Sequence, residues 1–579
     1  MAKFDNSKTW GFLDDFRGTH FSGEWPTLQE MFEITAARYP ERNAFTVFEP
    51  DRITLTYAEA LAQVKTTALW LKEQGVKKGD KIVVSGKNSP EWAVAFFAAG
   101  FADAVVVPID CALNDNEIRS LCNRAKPIIS FFDEEHYKTF YDVAKADASF
   151  GKVYGLNKNQ GEAYIYNLKP TGDPNKLKPT NSETDLAAIL FTSGTMGNPK
   201  GVMLTHKNFV SDCYIAQTHM HIFHTDVFYA LLPLHHSYTL LAVLIETISV
   251  GAEVVFGKSL AVTKMLNELR QGKITMFLGV PLLFNKLLAG ILKGVKAKGP
   301  IVSGIVRAMM EFSYFVKKTF GINIGKKLFG SILKQVGLTE IRIAICGGGP
   351  LAPSVFKKYN DLGIDFVQGY GLTETAPIVA LNPMEHFKIE SVGRYFYPYM
   401  EAKVLNPDEY GTGELCFKGP MVMQGYYEMP EETKKVFTED GFFKSGDLGR
   451  IDDERFIYLM GRAKNIIVTS GGKNVYPEEI ENCFQLYYNE IEQLTVTGYK
   501  PHPKEPDEEV EALIYISDLL YKKNNGTRGE NESDKKAQAE IKEIIGDINK
   551  TLQPYQRISR ITFLKEPLEM TTTKKVKRR

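Results

Sequence analysis

Residues 191 to 201 read FTSGTMGNPKG and set Thr192, Ser193, Thr195 and Lys200 among the glycines Gly194, Gly197 and Gly201. Glycine admits positive φ and close backbone approach, while hydroxyls and an ammonium donate hydrogen bonds, so such a loop can wrap a polyphosphate. It is not a Walker A loop, because Lys200 stands between Pro199 and Gly201 and the Gly-Lys-[Ser/Thr] ending is missing. Taken alone, the stretch is equally a glycine hairpin joining the apolar runs LAAILF and GVMLT.

Further stretches of similar character follow in order. CGGGP carries Gly347, Gly348 and Gly349, and QGYGLTET carries Gln368, Gly369, Tyr370, Gly371, Thr373 and Glu374. SGDLGRID carries Asp447, GRAKNIIVTSGGKNVYPEEIE carries Arg462, Lys464, Gly471, Gly472 and Lys473, and the chain ends in TTTKKVKRR with Lys575. Each has an ordinary reading in isolation. Tyr370 would be a half-buried loop aromatic, Asp447 an Asx-turn former, His236 in LLPLHHSYTL a core histidine, and the basic tail a solvated segment.

As an ordered set, these motifs resemble the adenylate-forming superfamily of acyl-CoA synthetases, luciferases and peptide-synthetase adenylation domains, over nearly the whole chain. The resemblance implies that a substrate carboxylate attacks the α-phosphorus of ATP, releasing pyrophosphate, and that a thiol then displaces AMP. It implies ATP, Mg2+ and CoA as cofactor and co-substrates, with a long- or medium-chain fatty acid as the activated partner. The loop from Thr192 through Ser193, Gly194, Thr195 and Gly197 to Lys200 would hold the β- and γ-phosphates, and Thr192 and Glu374 would meet Mg2+.

By the same resemblance Thr373 donates to the α-phosphate, Tyr370 stacks on adenine beside Gln368, Gly369, Gly371 and the Gly347–Gly349 run, and Asp447 accepts from the ribose hydroxyls near Arg462. Lys575 is the mobile catalytic lysine, with Lys574 adjacent in register where the usual glycine is replaced. Lys464 is the hinge of a rotating C-terminal domain, and Gly471, Gly472 and Lys473 line a pantetheine channel. His236 borders the carboxylate. Two positions depart from the pattern: Met196 replaces a frequent threonine, and CGGGP carries glycine where alanine or serine is common. Short-acid relatives block the acyl pocket with tryptophan at the place of Gly371, so the glycine implies an open tunnel. Transfer to a carrier protein instead of CoA, and a catalytically silent, membrane-associated nucleotide-binding scaffold, stay as alternatives.

The elements that must position these residues are legible in the hydrophobic rhythm. KIVVSG, AVVVPID and PIISFFD read as strands separated by helices in SPEWAVAFFAAGFA and NDNEIRSLCNRA, and the alternation resumes near residues 252 and 341. Such alternation predicts α/β architecture with parallel sheets. From about 390 the pattern turns to short strands with glycine turns. The expected fold is a large N-terminal domain (1–460) of two parallel-rich αβ subdomains plus a small β-rich subdomain, followed by a small mobile α+β C-terminal domain (461–579). In its last helix Ile541, Ile544, Ile545, Ile548 and Leu552 make one apolar stripe, and KKNNGTRGENE before it reads as an exposed loop.

With 579 residues, several subdomains are expected. Seventy Lys plus Arg balance seventy Asp plus Glu, which argues against a nucleic-acid partner. The six cysteines form no CxxC pair, in keeping with a reducing compartment, and MAKFDNSKTWGFLDDF lacks an apolar leader core. A cytoplasmic protein is expected, with a homodimer and attachment at the inner face of a membrane as open options. The segment 281–337 bears on the latter: it holds ten Lys or Arg against the single acid Glu311, interleaved with aromatic and aliphatic residues. That composition fits a membrane-surface helix and a solvated helical face about equally.

Overall fold

The computed structural model describes residues 10–192, 199–259, 261–469, 473–501, 508–570 and 576. Two large sheets build the N-terminal domain. The first has seven strands, and its parallel part runs through Leu186–Thr192, Val105–Pro108, Lys81–Ser85, Ile129–Phe132 and Lys152–Gly155. Lys200–Thr205 returns antiparallel along Leu186–Thr192, with the short strand Gly425–Tyr426 on its outer side.

The second sheet has thirteen strands, with a parallel centre in the order Glu253–Phe256, Val227–Ala230, Met276–Gly279, Ile343–Cys346 and Asp365–Gly371. The last of these strands changes the sheet's character. Its first half pairs parallel with Ile343–Cys346 and its second half antiparallel with Ile378–Leu381, and antiparallel strands follow out to Glu401–Leu405. The β-rich segment thus joins the second sheet at this strand, because Asp365–Gly371 is long enough to pair in both modes.

The helix Pro90–Phe101 packs between the sheets. Ser89 caps it, its hydroxyl accepting from Trp92 N at 3.1 Å, and Pro90 opens it, as the Ser-Pro-Glu start predicts. Its apolar residues share one core with Ile82 and Val84 of the first sheet and Phe228 and Val254 of the second. A helix apolar on nearly every side is the element that two facing sheets need between them.

The C-terminal unit has its own core under the sheet Ile491–Tyr499, Glu509–Ile516 and Arg560–Phe563. The helix Asn531–Thr551 buries Ile541, Ile545 and Ile548 there, with Ile544 and Leu552 partly buried, matching the stripe. The loop before it is shorter than expected: Lys522 and Lys523 finish the helix Asp518–Lys523, which Ser517 caps through Leu519 N, and Asn531 and Glu532 open the next helix.

Candidate active site

Three parallel strands of the second sheet, two of them adjacent and the third one strand away across Met276–Gly279, deliver their C-terminal ends to one edge. Val227–Ala230 leads to His236 and Ser237, Ile343–Cys346 to the Gly347–Gly349 run, and Asp365–Gly371 to Tyr370, Thr373 and Glu374. Ligands of open α/β sheets bind beyond the carboxyl ends of such strands.

The most tightly organised part centres on Asp447. The buried Tyr370 hydroxyl donates to Asp447 Oδ2 at 2.6 Å, and Arg462 Nε lies 2.6 Å from Oδ1. Asp447 and Arg462 face each other across the antiparallel pair Phe443–Ile451 and Phe456–Arg462, so the hairpin itself sets their meeting. Asp447 N donates to Ser445 Oγ at 3.0 Å, which in turn donates to Leu415 O at 2.7 Å. Burial, reinforced by Asp447, pushes the Tyr370 phenol far above its ordinary range, so it stays a protonated donor. A carboxylate oxygen accepts more than one hydrogen bond, so an oriented Asp447 is suited to take a ligand hydroxyl beside these partners.

A second group joins the two sheets. Tyr426 lies on the strand paired with Lys200–Thr205, and its hydroxyl donates to Glu374 Oε1 at 2.8 Å. Lys200 Nζ sits 4.7 Å from the centre of the same ring and 2.9 Å from Glu432 Oε2. Hydrogen bonds from Lys435 and then Lys200 hold the Glu432 carboxyl down at about 2. Thr192 Oγ1 approaches Lys200 O at 3.4 Å. Glu374 and Lys200, far apart in sequence, therefore share one tyrosine. The sequence reasoning missed Tyr426 and Glu432: Tyr426 stands 52 residues from its partner Glu374, and no spacing rule reaches that far.

A third group carries the histidines. His235 and His236 set their Nε2 atoms 3.0 Å apart, one donating and one accepting, and burial lowers His235 to about 3, so its ring is neutral. Ser237 Oγ lies 3.2 Å from Thr373 Oγ1, tying the histidine turn to the Thr373–Glu374 turn. A Cβ at Gly347 would stand 3.0 Å from the Tyr238 ring, and Gly348 has φ 76°, so the glycine run is required by close packing and by turn geometry. Gln368 is buried in its strand and accepts Asn382 N at 2.8 Å.

Gly371 meets a steric need other than an open acyl tunnel. A Cβ at Gly371 would lie 1.7 Å from Pro377 O, which also accepts Leu372 N at 3.0 Å and the Thr375 hydroxyl at 2.7 Å. The backbone folds back on Gly371 to present Glu374, so the glycine answers to that turn and gives no measure of an acyl tunnel.

Ser193, Gly194, Thr195, Gly197, Gly471, Gly472 and Lys575, with Met196 and Lys574, lie outside the described residues. Lys464 is exposed in the short turn Ala463–Asn465 that leaves the large sheet, and Lys473 is exposed on the hairpin Ile467–Thr469 with Lys473–Val475. The C-terminal unit touches the site through Gln485. Its Oε1 accepts Ala352 N at 2.8 Å and its Nε2 donates to Pro350 O at 2.8 Å, next to the glycine run.

A family profile described as AMP-binding enzyme matches residues 32–427. A feruloyl-CoA synthase of an Amycolatopsis species is 28% identical over 490 residues, covering 83% of this chain and 86% of its own. The long-chain-fatty-acid–CoA ligase FadD15 of Mycobacterium bovis is 28% identical over 562 residues, covering 91% and 90%. Among solved structures, o-succinylbenzoate coenzyme A synthetase (MenE) of Bacillus subtilis, in complex with ATP and magnesium ion, superposes with a TM-score of 0.72 at 22% identity over 94% of this chain and 98% of its own.

Proposed function

The chain belongs to the AMP-binding enzyme family, and on that premise we propose that it is an adenylate-forming ligase joining a long- or medium-chain fatty acid to CoA. The observation that carries the reading is the convergence, where the two sheets meet, of an oriented acceptor for a ribose and a lysine–carboxylate group for phosphates. In the first half-reaction the acid's carboxylate oxygen bonds to the α-phosphorus of ATP and the bond to pyrophosphate breaks. In the second, the CoA sulfur bonds to the acyl carbon and AMP leaves.

Asp447 accepts from the ribose hydroxyls while Tyr370 and Arg462 hold it in place. Lys200 leaves Glu432 for the β- and γ-phosphates, and Thr373 donates to the α-phosphate beside His236, which borders the incoming carboxylate. Glu374 and Thr192 offer oxygen donors only, a set that suits Mg2+ when substrate phosphates complete its shell. Bound there, Mg2+ would offset phosphate charge. Lys575 supplies the cation between carboxylate and α-phosphate, where charge grows in the transition state. Rotation about Lys464 then exchanges that lysine for the 470–474 loop, releasing the hydrogen bonds of Gln485.

Support for a fatty acid comes from relatives named for long-chain acids in Mycobacterium and Bacillus; the equal identity of a feruloyl-CoA synthase supports an aromatic acid instead. The deciding measurement is pyrophosphate release over acids from acetate to stearate plus ferulate, with CoA and with a holo carrier protein, alongside Lys575→Ala. CoA-dependent turnover on long acids that collapses in the variant is expected. Turnover on ferulate alone would move the substrate class, and acyl-AMP that reacts only with the carrier would move the acceptor. No pyrophosphate with any acid would overturn the ligase reading.

A further inference from the structure

The helix Pro300–Phe320 is built inside out. Its buried residues are Met310, Ser313 and Lys317, spaced on one face. Lys317 Nζ is bolted there by Asn360 Oδ1 at 2.6 Å and Asp365 Oδ1 at 2.8 Å. The opposite stripe, at spacings of four, seven and three residues, holds Ile301, Ile305, Phe312 and Phe315, which are 78%, 56%, 57% and 56% exposed. Phe320 and Ile322, at its end, are 63% and 57% exposed. A helix that only served the fold would turn these side chains inward, and a contiguous apolar face of this kind marks a contact surface.

Its surroundings identify the contact. The segment 281–337 carries ten Lys or Arg and one acid, Glu311, which already meets Lys357 at 2.9 Å. Lys293, Lys296, Lys298, Arg307, Lys327 and Lys334, on this helix and the elements that flank it in the chain, are exposed. Two copies pairing this face would press like charges together. The stripe is a ridge of large side chains on a single helix, and a helix about 30 Å long can lie flat with such a ridge in an interface. Among the described residues no helix is long and apolar enough to cross a membrane.

We infer that this helix docks the protein on an anionic lipid surface, with Ile301, Ile305, Phe312 and Phe315 entering the acyl boundary and the surrounding lysines meeting lipid phosphates. The inference does not use the substrate reading, and its test needs no acid, ATP or CoA.

The full-length protein is floated with vesicles of equal phosphatidylglycerol and phosphatidylcholine, and with phosphatidylcholine alone. Preferential binding to the anionic vesicles is expected, falling roughly tenfold or more in Phe312→Ser/Phe315→Ser and roughly fivefold per charge removed in Lys296→Gln and Lys327→Gln. The outward residues leave the core untouched, so thermal unfolding of each variant should match the wild type. A Phe315→Trp protein whose emission shifts blue on the anionic vesicles provides a second readout. Absence of flotation, or flotation indifferent to both sets of substitutions, overturns the proposal. Self-association that disappears in the phenylalanine variant, with no lipid binding, assigns the face to a second copy.

Discussion

Two buried carboxylates, Asp447 and Glu246, meet opposite treatment from their surroundings. Asp447 has a phenol on one oxygen and a guanidinium on the other. Glu246 follows the π-helical turn Leu240–Ile245 into the core; Cys213 and Gln217 approach it without completing a hydrogen bond to either oxygen. Nearby Asp212 uses one oxygen for Ile378 N at 2.9 Å and leaves the other unbonded. Burial pushes Glu246 up to about 8 and raises Asp212. The core thus removes the charge by keeping the proton, whereas the sheet edge arranges partners around a carboxylate that a ligand can use. Burial alone does not mark a site; burial with oriented partners does.

The largest expected effect breaks the better-partnered side. Asp447→Ala removes the ribose acceptor and leaves Arg462 and Tyr370 without their partner. A loss in kcat/KM for ATP on the order of 10²–10³ is expected, with folding retained. Steady-state pyrophosphate release measures it, and a value within about threefold of wild type would show that the nucleotide sits elsewhere. Lys200→Ala should follow, at roughly ten- to hundredfold, because one cation toward the phosphates is lost. Its partner Glu432 is half-buried but keeps a second cation, Lys435, so the unfolding temperature should hardly move.

The other side of the comparison is sharpened by pH. A carboxyl whose folded pKa is raised binds its proton in the folded state after the unfolded chain has released it. Stability contributed by neutral Glu246 is therefore full below the unfolded carboxylate range and declines as pH rises toward about 8. The slope is about 1.4 kcal/mol per pH unit for one such group. Glu246→Gln keeps the shape of the protonated acid and cannot ionise, so urea unfolding between neutral and mildly alkaline pH should lose that share of its pH dependence. A variant as steep as the wild type would show that Glu246 is not the titrating group.

Much of this was legible in the chain. Strand and helix alternation identified both sheets, Ser89 and Pro90 marked a helix start, and the isoleucine stripe marked the last helix, because each is a local signal of period or capping. The fold also brings the separate Tyr370, Asp447 and Arg462 motifs into contact. What stayed hidden depends on long-range placement. Tyr426 joins Glu374 to Lys200 across two sheets, Gly371 is fixed by a carbonyl that only the folded turn brings near, and the outward face of Pro300–Phe320 needs the packing to say which stripe is inside.

Tyr426→Phe gives the smallest effect and isolates how the sheets are coupled. The substitution keeps the ring beside Lys200 and deletes the hydroxyl's hydrogen bond to Glu374 Oε1. A neutral donor to a carboxylate contributes about 1–2 kcal/mol, so kcat/KM should fall roughly five- to thirtyfold. The signature separates positioning from packing. If the hydroxyl holds Glu374 for Mg2+, the Mg2+ concentration for half-maximal rate rises in Tyr426→Phe, and Glu374→Gln combined with it costs little more than Glu374→Gln alone. If the two losses multiply and the Mg2+ dependence is unchanged, Tyr426 serves only to seal the two sheets together, and the link between Glu374 and Lys200 is packing without chemical consequence.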